Sequence, residues 1–216
     1  MIFTCIGHAK FLIELENGLR IVTDPYDASC GYPVTPVAAD VVLVSHAHHD
    51  HSAVETIPGS PRIVAQAGEF DLGEGVTVTA VEAFHDEVQG AKRGKTLLFA
   101  LHAEGLNVLH LGDLGHIPDQ NMTEALGAAD VLMLPVGGFY TIGAAEARET
   151  AKRFNARVIL PMHYRTAANA DWPIAPAEAF TALYDTPAEE LELLRVTKED
   201  LLCQPQVAVL RPQSLK

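Results

Sequence analysis

Four histidines and one aspartate lie within six consecutive positions of the chain, in the segment SHAHHDHS at residues 45–52. Imidazole nitrogens and carboxylate oxygens are ligands that zinc and related divalent cations accept. His46 and His48 are two residues apart, so in an extended stretch their side chains project from the same side and can bind one cation. Asp50 and His51 follow after a turn and face a different point. The spacing therefore predicts two metal positions rather than one.

Further candidate ligands follow strand-like segments elsewhere in the chain. The wholly apolar run 41–44 predicts a buried strand that leads directly into the histidine segment. His85, Asp113 and His163 each stand just after another β-rich or apolar run. Side chains at the ends of rigid strands can be held with the precision that a metal site needs. We therefore expect these residues to complete the site that the histidine segment begins.

The first half of the chain is typical of strands and the second half alternates strands with helices. Asn17 and Gly18 predict a type I′ hairpin turn. Gly143 is a plausible N-cap, with Glu146 favourably placed in the first turn of the helix that follows. The predicted strands are 2–6, 11–16, 20–23, 41–44, 62–65, 76–80, 96–102, 106–111, 131–134 and 158–160, the predicted helices are 120–128, 144–154 and 175–183, and residues 191–196 and 207–210 give a weak strand signal.

Composition predicts one globular domain over residues 1–216, with 48% hydrophobic and 20% charged residues. The formal net charge of −13 repels nucleic-acid phosphates and anionic lipid, which disfavours both as partners. Three cysteines are too few and too scattered for a disulfide framework, which favours a reducing cytoplasm. The N-terminal residues lack a basic segment, and no long apolar run occurs, so neither a signal peptide nor a membrane span is expected.

The order of the candidate ligands is specific enough to indicate a family. H-x-H-x-D-H, then an isolated histidine, then Gly-Asp and then a late histidine resembles the metallo-β-lactamase superfamily of dinuclear hydrolases. Gly7-His8, Thr23-Asp24-Pro25, AFHD, HLGDLGH, LPVGGFYTIGAAEA and LPMHY are similar to its L-ascorbate-6-phosphate lactonase-like branch. The resemblance covers residues 1–166 and does not extend to the last 50 residues.

The resemblance implies an α/β fold, a four-layer αββα sandwich of two mixed sheets flanked by helices, with the metals at one edge. It implies two divalent ions, zinc in the first place and manganese or iron as alternatives. Asp24 would support the histidine segment by hydrogen bonds without binding metal. The implied ligands are His46, His48 and His85 for the first ion, Asp50, His51 and His163 for the second, and Asp113 for both.

The chemistry implied is hydrolysis of an ester, lactone or phosphodiester in a small molecule. Two divalent cations about 3.5 to 4 Å apart can share a water, lower its pKa and present it to an electrophilic carbon or phosphorus. Asp50 is the candidate catalytic residue that both ligates a metal and orients the attacking water. General-acid assistance could come from metal-bound water or from His116, in the segment after Asp113, which either lines the pocket or has a capping or packing role.

Several nearby residues have two interpretations each. His49 occupies the variable position of the motif, so we expect it to be exposed or to pack against the loop and not to bind a metal. His8 and His110 stand beside matching motifs, as supporting groups of the site or as structural histidines. The basic turn at residues 92–95 is either a charged hairpin loop or the contact for an anionic substrate. Tyr140 either donates a hydrogen bond to substrate or packs within its loop.

Three other functions compete with hydrolysis of a small molecule. A di-iron oxidoreductase can use the same scaffold, but the flavodiiron type has glutamate where this chain has His48. A nuclease acting on nucleic acid is disfavoured by the acidic balance. A metal-binding module without catalysis is disfavoured because all seven expected ligands are present. The sequence leaves the oligomeric state open, a homo-oligomer included, and names no substrate.

Overall fold

The computed structural model describes residues 1–204 and 206–215, which form two six-stranded mixed sheets and one pair of short strands. The strand order is β13-β1-β2-β3-β4-β5 in the first sheet and β11-β10-β9-β8-β7-β6 in the second. The first sheet contains β1 Ile2–Gly7, β2 Lys10–Glu14, β3 Arg20–Thr23, β4 Val41–Leu43, β5 Arg62–Val64 and β13 Leu194–Arg195. The second contains β6 Gly68–Gly73, β7 Val76–Phe84, β8 Lys95–Ala103, β9 Leu106–His110, β10 Val131–Pro135 and β11 Val158–Met162. The pair consists of β12 Glu189–Leu191 and β14 Ala208–Leu210.

The sheets pack face to face because their strands alternate between two apolar layers. On β8, Leu97, Phe99 and Leu101 belong to the core between the sheets, together with Phe11 and Ile21 of the first sheet. The intervening residues of β8 point to the opposite face of the second sheet and pack in a separate cluster. This alternation follows from the two-residue period of a strand. Both faces of the second sheet are therefore buried.

Three α-helices lie along the second half of the described chain: α1 Gln120–Leu126, α2 Ala144–Arg153 and α3 Glu178–Thr181. Their apolar side chains pack on the outer face of the second sheet, where Ala147 and Phe154 contribute to one buried cluster. The helix α2 begins as predicted, because the Gly143 N–H donates to Glu146 Oε2 at 2.9 Å. The predicted helix 175–183 is present, but it is confined to Glu178–Thr181.

The outer face of the first sheet is covered differently. Its apolar residues cluster with Val37 and Ile57, which lie in a loop and beside the 3-10 turn Val54–Thr56. In the described residues this layer therefore consists of loop and 3-10 turn, while the α-helices cover the second sheet. The predicted α/β class and the two mixed sheets are confirmed.

One local prediction was wrong, and one strand was not predicted. The hairpin between β2 and β3 exists, but Gly18 has a φ of 89° while Asn17 is absent from the described residues with positive φ. Leu15 N–H donates to Leu19 O at 3.0 Å, so the connection has three residues with glycine in the left-handed position, not a type I′ turn. Strand β6 was not predicted because its residues are polar or glycine and largely exposed at a sheet edge.

The topology brings six strand ends to one edge of the two sheets. Strand β2 is antiparallel to both β1 and β3, and β3 is parallel to β4, so β1, β3 and β4 run in the same direction. By the same reasoning β7, β9 and β11 run together in the second sheet. None of the helices in residues 1–204 and 206–215 has the length and apolar character needed to cross a membrane.

Candidate metal centre

The candidate metal ligands all follow the carboxyl ends of these co-directional strands. The first sheet supplies residues after β1, β3 and β4, and the second supplies residues after β7, β9 and β11. Polar side chains that are far apart in sequence thus meet at one edge of the sandwich. They are His8, Asp24, His46, His48, Asp50 and His51 from the first sheet and His85, Asp113 and His163 from the second.

The backbone is bent sharply where several of these residues leave their strands. His8, Asp24 and His163 have φ values of 55°, 38° and 51°, a left-handed conformation that disfavours residues other than glycine. Gly112, with φ of 46°, precedes Asp113, and a Cβ there would lie 2.5 Å from Thr96 Oγ1. Glycine is therefore required for the close approach that places Asp113.

The ligands form two groups that share one carboxylate. His46, His48 and His85 offer ligand atoms within 4.8 Å of one another, and we call them the open group. Asp50, His51 and His163, which we call the buried group, meet the same criterion together with His8.

Asp113 lies between the two groups. Its Oδ2 is 3.2 Å from His85 Nε2 and 3.3 Å from His163 Nε2, while its Oδ1 is 3.3 Å from His51 Nε2. Two ligand atoms that bind one tetrahedral zinc ion at about 2.0–2.1 Å are separated by about 3.3 Å. The spacing of these nitrogens around the Asp113 carboxylate is therefore the spacing that a shared ligand needs.

Asp24 fixes the histidine segment, as the resemblance implied. Its carboxylate accepts hydrogen bonds from the Ser45 N–H at 2.7 Å, from the Ser45 hydroxyl at 2.7 Å and from His51 Nδ1 at 2.8 Å. The hydrogen bond to Nδ1 leaves the Nε2 lone pair of His51 directed at the site. Ser45 Oγ also lies 2.9 Å from His46 Nδ1, so the other ring nitrogen of His46, Nε2, is the one that faces the remaining ligands, 2.9 Å from His48 Nδ1.

The donor atoms of the site fit a divalent cation. Asp24, Asp50 and Asp113 are buried, and within the described part of the chain their ion-pair contacts are all with histidines rather than with lysine or arginine. His51 Nε2 and Asp113 Oδ1 are buried without a hydrogen-bond partner. Buried carboxylates are stabilised when a cation binds between them and the imidazoles they face.

The protonation states of the histidines also favour metal binding in the open group. Burial lowers the pKa of His46 to about 3. Burial also lowers the pKa of His48, with a further contribution from His85. Both imidazoles are therefore neutral near pH 7 and have a lone pair to donate. For His51 burial acts in the same direction, but the carboxylates of Asp113 and Asp24 raise its pKa well above the usual value. The buried group thus attracts positive charge.

A cavity of about 330 Å³ opens onto the site. Tyr140 and Trp172 form an aromatic wall, with ring centroids 6.1 Å apart and rings nearly perpendicular. Trp172 belongs to the C-terminal segment for which the sequence indicated no role, and its being the only tryptophan was the one available signal. The cavity is lined by His48, His49, Asp50, His85, Arg93, Asp113, Tyr140, His163 and Trp172.

The other candidate residues lie in different surroundings. His116 is outside the lining of this cavity: its Nε2 accepts the Phe84 N–H at 3.2 Å and its Nδ1 lies 3.0 Å from Ile117 O. Both nitrogens are thus engaged with backbone, which corrects the expectation that His116 faces the substrate as general acid. His49 is exposed and lies 2.8 Å from Ser29 Oγ, outside both ligand groups.

Two histidines beside the matching motifs have separate outcomes. His110 is buried and accepts the Gly112 N–H on Nδ1 at 3.2 Å, so it supports the turn before Asp113. His8 lies in the site itself, because its Nε2 is 3.3 Å from Asp50 Oδ2 and its ring centroid is 4.2 Å from that of His163.

Comparison with known proteins shows the family to which the chain belongs. Residues 3–163 match the family described as Beta-lactamase superfamily domain, a range that includes all seven candidate ligands. The chain is 32% identical to a UPF0173 metal-dependent hydrolase of Methanoculleus marisnigri over 188 residues, 77% of this chain and 82% of the relative.

Solved structures with the same fold are also similar. A crystal structure from Thermotoga maritima, described as that of a proposed Zn-dependent hydrolase of the metallo-β-lactamase superfamily, has a TM-score of 0.79 at 38% identity and 97% coverage of both chains. A metallo hydrolase from Ignicoccus hospitalis has a TM-score of 0.65 at 22% identity, with 84% of this chain and 89% of that chain covered, and shows the fold alone. The chain thus belongs to the metallo-β-lactamase superfamily and, within it, to the UPF0173 family of metal-dependent hydrolases.

Proposed function

We propose that this protein uses two divalent metal ions, zinc in the first place, to hydrolyse an ester or lactone bond in a small molecule. The observation that carries the proposal is the position of Asp113, whose carboxylate lies 3.2–3.3 Å from histidines of both ligand groups. A carboxylate shared in this way is what a paired metal site requires. A phosphodiester is the second bond type that the same chemistry serves.

The two ions would be held by different parts of the chain. The open group would hold one ion, the buried group the other, and Asp113 both. When bound, the ions would supply a water that is nucleophilic near neutral pH and would stabilise the negative charge that develops on the bond under attack. Mn²⁺ and Fe²⁺ accept the same nitrogen and oxygen donors, so they are the alternatives to zinc.

The residues around the ions have separate tasks. Asp50 lines the cavity and its Oδ2 lies 3.3 Å from His8 Nε2, so its carboxylate is fixed where it can orient the attacking water. Asp24 keeps His51 in the tautomer that binds metal. Tyr140 and Trp172 exclude water from one wall of the cavity.

A small molecule is the substrate that the site favours. The cavity volume of about 330 Å³ lies in the range of about 300–1,000 Å³ that is usual for small-ligand sites. The net charge of −13 disfavours a nucleic acid. The similarity of several motifs to the L-ascorbate-6-phosphate lactonase-like branch supports an ester or lactone over a phosphodiester.

The experiment is a hydrolysis screen with bis(p-nitrophenyl) phosphate, lactones and thioesters. The protein is stripped with chelator and then reloaded separately with Zn²⁺, Mn²⁺ and Fe²⁺. We expect turnover of a lactone or another ester only after reloading, and none in Asp113→Ala. Turnover that survives both chelation and Asp113→Ala would contradict the proposal. A reducible iron centre without hydrolysis of any compound would support the oxidoreductase alternative.

A further inference from the structure

The basic turn after β7 contains three cationic side chains, and the structure separates one of them from the other two. Lys92 pairs with Glu87 of the same turn, and Lys95 Nζ lies 2.6 Å from Glu82 Oε2. Residues 1–204 and 206–215 offer no comparable carboxylate contact to the Arg93 guanidinium. Arg93 is therefore the member of the turn whose charge is left for a ligand.

The loop that carries Arg93 is held firmly by Asp86. One carboxylate oxygen accepts the N–H groups of Val88 and Gly90 at 2.9 and 2.8 Å, and the other accepts those of Lys92 and Arg93, both at 2.8 Å. Burial acts to raise the pKa of Asp86, but these four donors lower it to about 2. Because the backbone is fixed, binding through Arg93 orders little additional chain.

The Arg93 side chain is directed at the candidate site. It lines the cavity, and its guanidinium carbon lies 5.6 Å from the centroid of the Tyr140 ring, which restrains its orientation. Arg93 is the single lysine or arginine among the lining residues described for this cavity. In a chain with a net charge of −13, one unpaired guanidinium at the mouth of the site can select an anion.

The chemistry of these groups defines a ligand. A guanidinium binds a carboxylate or phosphate through two parallel hydrogen bonds. The rings of Tyr140 and Trp172 provide flat apolar surface next to it. We propose that the substrate carries a carboxylate or phosphate on a planar ring, that Arg93 binds the anion, and that Tyr140 and Trp172 contact the ring. That this ligand is a substrate rests on the proposed hydrolytic function, whereas its binding by Arg93 does not.

The first test compares a dihydrocoumarin that carries a ring carboxylate with its methyl ester, as lactone substrates of the zinc-loaded protein. We expect kcat/KM to favour the carboxylate, and Arg93→Gln to lower that preference by about 10- to 100-fold, mainly through KM. In Arg93→Gln, kcat/KM for the methyl ester should fall much less than kcat/KM for the carboxylate, and Arg93→Lys should restore part of the preference. Lys92→Gln is the matched control, because it changes net charge equally but removes a paired lysine from the same turn.

The second test needs no turnover, because Trp172 is the only tryptophan of the chain and its fluorescence reports binding at the cavity. Benzoate, phenylphosphonate and the neutral analogue benzamide are titrated into the zinc-loaded protein. We expect benzoate or phenylphosphonate to bind more tightly than benzamide, and the stronger of the two anions to identify the group that Arg93 takes. Arg93→Gln should weaken anion binding by about 10- to 100-fold, and Lys92→Gln should not.

Anion binding that is equal in wild type and Arg93→Gln would overturn the proposal, because the metal centre alone would then hold the anion. Equal losses in Arg93→Gln and Lys92→Gln would overturn it as well, since net charge would explain them. If no compound is hydrolysed but anion binding depends on Arg93, the hydrolytic proposal fails and the anion site stands. If hydrolysis occurs but neither binding nor turnover depends on Arg93, the anion site fails and the hydrolytic proposal stands.

Discussion

The open and buried ligand groups meet at the same carboxylate, yet the fold surrounds them differently. In the buried group, Asp50, His51 and His163 are 8%, 0% and 1% exposed. In the open group His85 is 1% exposed and the His46 side chain is 5% exposed, while His48 is exposed. Each group takes ligands from both sheets, and both groups contribute to the cavity lining, through His48 and His85 in one and Asp50 and His163 in the other. The exposure of His48 is therefore the clearest difference between the groups.

This difference indicates that the two groups would hold their ions with different affinities. The buried group has support behind its ligands, since Asp24 fixes His51 and His8 lies against both Asp50 and His163. An ion held by such ligands requires little rearrangement of the protein. In the open group, His46 Nε2 lies 2.9 Å from Nδ1 of His48, and His48 is exposed and lines the cavity. We therefore expect the buried group to bind its ion more tightly and the open group to exchange its ion more readily.

The largest effect is expected from Asp113→Ala, which removes what the two groups share. Loss of a residue that only supports a ligand costs about 10- to 100-fold in metal affinity, so loss of the shared ligand should cost more than about 100-fold at both positions. Metal content after gel filtration, measured by mass spectrometry, tests this. Asp113→Asn, which keeps the shape of the side chain, separates charge from packing. Retention of two ions in Asp113→Ala would contradict the assignment of Asp113 as the ligand that both groups share.

His163→Ala and His48→Ala form a pair that sharpens the contrast between the groups. We expect His163→Ala to weaken one ion by more than about 100-fold, since a buried ligand is lost, and His48→Ala to weaken the other by about 10-fold, since water can take an exposed position. Competition with a chromogenic chelator measures both affinities. Equal losses in the two variants would mean that burial does not distinguish the positions.

Asp24→Asn should have a smaller effect, because Asp24 acts on the metal through His51. Without the carboxylate, His51 loses the partner that fixes its tautomer, and the affinity of the buried group should fall by about 10- to 100-fold. The same chelator competition applies. A variant that loses only the open-group ion would indicate that Asp24 acts mainly through Ser45 and His46.

The smallest effect is expected from His49→Ala. His49 is exposed and lies near Ser29 and Asp27 rather than in either ligand group. Its replacement should change metal affinity by no more than about 2-fold, as for most exposed side chains. A larger loss would place a sixth ligand histidine in the centre and require the two groups to be redefined.

Much of the fold and site could be predicted because each ligand follows an apolar strand. The runs before His46, Asp113 and His163 carry strong local signals, and the topology rules then bring their ends together. The family order supplied the proposed division of candidate ligands between two ions, which spacing alone suggested only for the histidine segment. Strand β6 lacked such a signal because its pairing, not its composition, makes it a strand.

The parts that could not be predicted depend on contacts between distant segments. Trp172 reaches the cavity from a region without a recognisable pattern. The distinction between Arg93 and its neighbours rests on the pairing of Lys92 with Glu87 and of Lys95 with Glu82. The exclusion of His116 depends on a backbone N–H that occupies its ring nitrogen. Each of these follows from packing geometry that a sequence pattern does not carry.

The most direct test of the shared site is a crystal structure of the zinc-loaded protein with anomalous scattering data collected at the zinc edge. Two peaks are predicted, one bound by His46, His48 and His85 and one by Asp50, His51 and His163, with the Asp113 carboxylate in contact with both. A single peak at full zinc occupancy, or two peaks of which only one contacts Asp113, would contradict the account.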